Sequence, residues 1–304
     1  MRHSKTHLYR WLAIILAAFP LLLGCTRPKT AALNRLKQSY QCQGCDLQGV
    51  DLSGFNPLQP DAPPQALLSL HRAQLVRANL SRIRLWRCLR GVADGCFNDI
   101  DVSEADLSQA VLDHARLYGV NFARARLHGS QMRNASCDLC DFSKTDFSHA
   151  CLRGFTSEGD AMHGWGSQFD GANFAGANLS HARLYGSFVQ ANFSHAKLRH
   201  TTLASAEDAD GSGRTASALW AGVNFTDADL TGARVLNGRG FSNDPPADLS
   251  QAILCRTTMP DGTVNHRDCH ERSFKYPAAR SVCCKPLPKE AVTDPEGLRY
   301  SADL

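Results

Sequence analysis

A period of five residues governs this chain, and few folds can satisfy it. Between Gly95 and Gly154 the sequence divides into twelve consecutive pentapeptides, among them those that begin at Ala105, Ala110, Ala115 and Ala125. The third position is always apolar: Phe97, Val102, Leu107, Leu112, Leu117, Phe122, Leu127, Met132, Cys137, Phe142, Phe147 and Leu152. The first position is mostly small and never charged, and all 14 Asp, Glu, Lys and Arg of the stretch fall on the other three positions. Neither a 3.6-residue nor a two-residue period sorts residues this way. The pattern requires a chain that turns a corner every five residues, with one large and one small side chain inside and three polar positions outside. Composition alone would mislead here. The 38 Ala and 36 Leu against 17 Val plus Ile suggest helices by propensity, but they are largely the two inward letters of the repeat.

The motif Ala-(Asp or Asn)-(Leu or Phe) at Ala78, Ala105, Ala172, Ala177, Ala191 and Ala228 resembles that of the pentapeptide-repeat family. The resemblance implies an all-β fold, a right-handed quadrilateral β-helix with four repeats per coil. The register extends to central residues Leu47, Leu52, Leu75, Leu80 and Leu85 before the long run. After it come Phe169, Phe174, Leu179, Leu184, Phe188, Phe193, Leu198, Leu203, Trp220, Phe225, Leu230, Val235, Leu249, Leu254 and Met259. That makes about eight coils and a rod of roughly 38 Å at the spacing of neighbouring strands. One residue is missing between Leu184 and Phe188, which predicts a distorted corner. Interruptions at 53–72, 86–94, 155–166, 204–217 and 236–246 read as loops extruded at corners. Side chains twenty residues apart should stack, so Asp106, Arg126 and Asp146 should form a ladder of alternating charge.

Ala32, Leu33, Leu36 and Tyr40 lie three or four apart, predicting a short helix that caps the N-terminal coil within residues 25–41. The repeat itself is expected over 42–262. Residues 263–304 lose the period and read as an irregular, Cys-containing tail.

Residues 1–24 read as a signal peptide: Arg2, Lys5 and Arg10 precede the apolar run Trp11 to Leu23, which is too short for the ~20 residues of a spanning helix. The run ends in Leu22-Leu23-Gly24-Cys25, resembling a bacterial lipobox. That resemblance implies covalent diacylglycerol and an acyl chain on Cys25, with no other cofactor. It also implies a lipid anchor in the envelope of a Gram-negative-type bacterium, at the outer membrane because Thr26 rather than Asp follows. Without this segment the charge falls from the whole-chain +4, from 33 basic and 29 acidic residues, to +1, since three basic residues leave with it. No basic excess remains to drive nucleic-acid binding.

Twelve Cys suit an oxidising compartment. Cys42/Cys45 and Cys137/Cys140 share one register, a central position and the next small one, so all four sulfurs should face inward. A buried disulfide and a pair of free thiols both fit; catalytic redox chemistry fits poorly, because it needs an exposed thiolate. Cys88 with Cys96 and Cys255 with Cys269 are disulfide candidates that would pin nonrepetitive segments to the coils. Cys151 falls on an outward position and reads as a free thiol. His266, Cys269 and His270 offer weak zinc-ligand character, without the paired short spacings of a closed site. His114, His128, His149 and His195 fall on outward positions and read as surface residues.

No nucleophile elbow, phosphate-binding loop, zincin helix or dinucleotide fingerprint occurs. The expected function is therefore non-enzymatic: a lipid-anchored scaffold for an envelope protein, with specificity in the insertions, especially around Met162 and Trp165. Two alternatives carry less weight. Mimicry of DNA toward a topoisomerase, known in the resembled family, is opposed by the near-neutral charge and by export. A metal or redox protein would have to use the C-terminal Cys and His residues.

Overall fold

The computed structural model describes residues 28–55, 68–85, 100–158, 166–205, 216–238 and 241–269. Helix α1 (Pro28–Ser39) leads into twelve short strands: β1 (Arg84–Leu85), β2 (Ile100–Asp101), β3 (Arg116–Tyr118), β4 (Val120–Asn121), β5 (Ser136–Asp138), β6 (Thr156–Ser157), β7 (Ser167–Gln168), β8 (Arg183–Ser187), β9 (Thr202–Ser205), β10 (Arg234–Asn237), β11 (Thr257–Thr258) and β12 (Val264–Asn265). Between the named strands, single residues pair in parallel one coil apart, as in Asp106↔Arg126↔Asp146, so the expected charge ladder forms. Arg126 Nη1 lies 3.5 Å from Asp106 Oδ2.

Three of the four corners are built the same way. The small residue after the turn donates its N–H to the central residue's carbonyl three positions back, as Ala110 does to Leu107 at 3.0 Å. The residue before it has φ near +60°, as at Gln109 (59°) and His114 (58°), which is the geometry of a type II turn. Val and Ile resist that conformation, which explains their scarcity.

The chain winds four faces. The first carries central residues Cys42, Leu70, Val102, Phe122, Phe142, Phe169, Phe188, Trp220 and Leu249; the second runs from Leu47 to Leu254, the third from Leu52 to Met259, and the fourth from Leu85 to Val235. The second face shows nine rungs, Asp46, Gln74, Asp106, Arg126, Asp146, Asn173, Asn192, Asn224 and Ile253. Their eight steps give the expected rod of roughly 38 Å. Cys42 is buried as its central register predicts, and Leu70, which counting outward from the long run omits, is a central position too and buried. The repeat also persists beyond Gly154, since Phe155 and Ser157 are inward and buried.

Leucines fill the axis of the first coils, and stacked rings fill the later ones. Phe122, Phe142, Phe169, Phe188 and Trp220 stack at 5.2, 5.4, 5.1 and 5.0 Å, and Phe147, Phe174, Phe193 and Phe225 at 4.9, 4.7 and 5.4 Å. Offset stacks of this kind add about 0.5–1.5 kcal/mol per pair to area burial.

Both ends are closed. Ala32 and Leu36 of α1 are buried against the first coil, with Leu33 and Tyr40 packed beside them, as the helical spacing predicts. At the other end β12 turns back antiparallel onto β11, so Thr258 pairs with both Asp229 and Val264. The Arg267 guanidinium donates to the Leu249 and Ala252 carbonyls, and Asp268 bonds the Leu254 backbone in both directions. These contacts satisfy groups that an open coil would offer to another chain.

Candidate functional site

Three of the four corners keep strict five-residue spacing between central residues in every described coil. The fourth, where the fourth face meets the first, absorbs the changes of length. Leu85 to Val102 spans 17 residues, Ser157 to Phe169 12, Leu203 to Trp220 17, Val235 to Leu249 14 and Leu184 to Phe188 only 4, while Leu117 to Phe122 keeps 5. The remaining interruption, between Leu52 and Leu70, crosses the same face and corner. All insertions therefore leave the rod along one edge.

The backbone changes at that edge. Strands β8, β9 and β10 run four or five residues, past the corner, and pair outward through Tyr185↔Ala204 and Leu236↔Ala204. Tyr185, Ala204 and Leu236, with Leu219 of the 3-10 turn Ala216–Trp220, form a second apolar cluster outside the main core. The single-residue deletion is absorbed at Gly186, as the Leu184–Phe188 spacing predicts. A Cβ there would lie 1.8 Å from the Ser167 carbonyl oxygen, so only glycine allows β7 and β8 to approach this closely. Nearby, Trp220 Nε1 donates to Asn237 Oδ1 at 3.3 Å, and Phe241 is 61% exposed.

A polar cluster underlies the edge. Cys137 and Cys140 form a disulfide (2.00 Å), and both are buried. Ser157 occupies a central position that elsewhere holds an apolar side chain. Its hydroxyl donates to Ser167 Oγ at 2.8 Å; Ser167 Oγ in turn donates to the Cys137 carbonyl at 3.2 Å and accepts from the Cys140 N–H at 3.0 Å. This closed network satisfies a buried polar group that the sequence pattern would have excluded. Beside it, burial pushes the Asp138 carboxyl up to about 6, with nearby Glu158 adding to the rise, although the Glu158 N–H donates to Asp138 Oδ1 at 2.7 Å. The Glu158 carboxylate meets Arg183 at 3.7 Å in an exposed pair.

The other predicted residues divide cleanly. Cys42–Cys45 (2.03 Å) and Cys255–Cys269 (2.12 Å) are disulfides, the latter tying the closing strands to the last coil. Cys151 is not a free surface thiol: it is buried and disulfide-bonded, because the outward position of a coil can still be covered by other chain segments. Cys269 spends its sulfur on Cys255, and His266 Nδ1 lies 3.9 Å from it; no group of three metal-capable side chains occurs among the described residues. Cys25, Cys88, Cys96, Met162, Trp165 and His270 lie outside the described residues. Sequence reading missed Asp113, an outward position that is 1% exposed because Arg133, one coil on, covers it with a 2.6 Å ion pair. Their twenty-residue separation was the available signal.

With the geometry in hand, comparison with known proteins gives a consistent picture. The family model described as Pentapeptide repeats matches residues 101–136, 121–156 and 165–188. No curated protein matches the sequence. Among solved structures, HetL, a pentapeptide repeat protein involved in heterocyst differentiation regulation from the cyanobacterium Nostoc, is 22% identical over 77% of this chain and 97% of its own, with a TM-score of 0.21. Rfr23, a pentapeptide repeat protein from the cyanobacterium Cyanothece, is 21% identical over 74% and 97%, with a TM-score of 0.21. Full-length QnrB1, a plasmid-mediated fluoroquinolone resistance protein, is 16% identical over 70% and 81%, with a TM-score of 0.24. The family-model match supports the pentapeptide-repeat family.

Proposed function

We propose that this pentapeptide-repeat chain is a non-enzymatic scaffold of a Gram-negative-type envelope, held at the outer membrane by diacylglycerol and an acyl chain on Cys25, and that it grips an envelope protein along its insertion edge. One observation carries the reading: every change of length leaves the rod at the same corner, while three corners stay regular. Scattered insertions would decorate the rod without making a surface. Aligned ones build a continuous strip of irregular chain on a rigid support, the arrangement in which recognition loops are commonly found. The outer apolar cluster of Tyr185, Ala204, Leu219 and Leu236 supplies a base for that strip.

A photocrosslinking side chain placed at Glu158 or Phe241 in intact envelopes should give a defined protein adduct, and the same group at Gln109, exposed on a closed corner, should not. Equal adducts from all three positions would refute the edge assignment. Labelled fatty acid should enter the native chain and not the Cys25→Ser variant; persistent labelling would refute the anchor.

A further inference from the structure

A second feature lies on a corner that carries no insertions, where the third face turns into the fourth. The first turn residue there is, in successive coils, Asp113, Arg133, Arg153, Ser180, Arg199 and Thr231. Arg133 is spent on the buried Asp113. Arg153 is exposed, and its side chain makes no ion pair or hydrogen bond among the described residues; within the same set Arg199 gives only its Nε, to Asp229 Oδ2 at 2.7 Å, leaving both terminal nitrogens unengaged. Between these two arms stands Ser180, whose short side chain is turned onto Asn178 Oδ1 at 2.8 Å. Two long cationic arms, two rungs or roughly 9.6 Å apart at their bases, thus bracket a gap one side chain wide.

The gap is a cavity of about 330 Å³ lined by Arg153, Asn178, Ser180, His181, Arg199 and His200. One wall is the stacked imidazole pair of His181 and His200, with ring centres 5.3 Å apart and planes at 17°. Gly232 follows in the same ladder, and a Cβ there would come within 2.5 Å of His200 Nδ1, so the glycine leaves room for that ring. No carboxylate lines the cavity. Asp229 lies on the far side of Arg199, where it orients the guanidinium.

We propose that this notch binds a phosphoryl group, clamped between the Arg153 and Arg199 guanidiniums with the imidazoles at its side. Planar guanidiniums present paired N–H groups that match phosphate oxygens, and a multivalent oxyanion is the ligand that can engage two such arms at once. A single carboxylate brings one negative charge against two, where a phosphoryl group brings up to two. The site is open to solvent, so modest affinity and strong dependence on ionic strength are expected. The phosphoryl group could belong to a lipid headgroup or to a soluble phosphate, and the same chemistry recognises both.

Calorimetric titration of the full chain in detergent with pyrophosphate, at fixed ionic strength, should give saturable binding at one site. Arg153→Ala and Arg199→Ala should each weaken it about tenfold, the effect of losing one charge-assisted contact of roughly 1.4 kcal/mol. Ser180→Glu places a carboxylate between the arms; it should abolish pyrophosphate binding and raise the melting temperature, a gain that a merely misfolded variant would not show. Vesicles containing phosphatidic acid, tested against phosphatidylcholine with the Cys25→Ser chain so that acylation contributes nothing, identify the source. Sedimentation with the acidic vesicles that is lost in the double alanine variant assigns a lipid headgroup, and pyrophosphate binding without sedimentation assigns a soluble phosphate. Non-saturable binding, or affinity unchanged in the double variant, would overturn the proposal. The crosslinking test of the insertion edge is independent of either outcome.

Discussion

The closed corners and the insertion edge are built from the same repeat under different constraints. At a closed corner each turn sits between identical turns above and below, so an extra residue would break pairing on two neighbouring faces at once. At the edge that constraint has been released, coil after coil, and strands as long as Arg183–Ser187 replace the single-residue rungs. Confining irregularity to one line lets the other faces stack without interruption. The rod can therefore carry long insertions at the small entropic cost of loop closure rather than the cost of a broken core.

That contrast can be tested from the axis outward. Phe174→Ala removes a ring stacked at 4.9 and 4.7 Å beneath two closed corners and should cost about 3–5 kcal/mol in denaturant unfolding. A loss below about 1 kcal/mol would show that the axis is not the stabilising element. At the edge, Asp138→Asn should be stabilising at neutral pH. Burial raises the folded carboxyl from 3.8 to about 6, so the fold favours the protonated form: its contribution is full below about pH 4 and is lost as pH rises through about 6. Asparagine keeps the oxygen that accepts from Glu158. The variant should gain at most about 3 kcal/mol at pH 7 and nothing at pH 3.5; equal gains at both pH values would rule out the carboxyl as the cause.

Two glycines sharpen the comparison. Gly186→Ala forces a Cβ against the Ser167 carbonyl and should cost about 1–3 kcal/mol. Gly44→Ala, at φ +63° with nothing within 4 Å, should cost only about 1 kcal/mol, the left-handed penalty alone. If the order reversed in thermal unfolding, close approach would not be what distinguishes the edge. The smallest effect belongs to the loop. Removing residues 159–165 restores five-residue spacing between Ser157 and Phe169, as at Cys137 to Phe142, and should change stability by less than about 1 kcal/mol. A cooperative loss of the whole rod would show that this insertion is part of the fold.

Much of the architecture was legible in the letters. Leu107, Leu127 and Phe147 announce an inward position, and Asp106, Arg126 and Asp146 announce which residues stack. The cap on the first coil was readable from Leu36 and its neighbours. Less legible were residues whose environment is made by another coil. Asp113 is buried because Arg133 covers it, Ser157 is tolerated inward because Ser167 completes its hydrogen bonds, and Cys151 is enclosed although its position faces out. Periodicity states which way a side chain points within its own coil. It is silent on what an adjacent coil or insertion lays over it.

By itself the sequence determined the repeat and the inward residues, because a five-residue period with two apolar letters admits few other ways to bury them; the four-sided winding entered only as what the family resemblance implies. Tertiary structure alone decided that the insertions share one edge and that Arg153 and Arg199 flank a gap above Ser180. Both are built from steps between neighbouring coils 19 to 32 residues apart in sequence and about 5 Å apart in space, with Arg153 and Arg199 two such steps apart, and only the stacking of the coils brings them together.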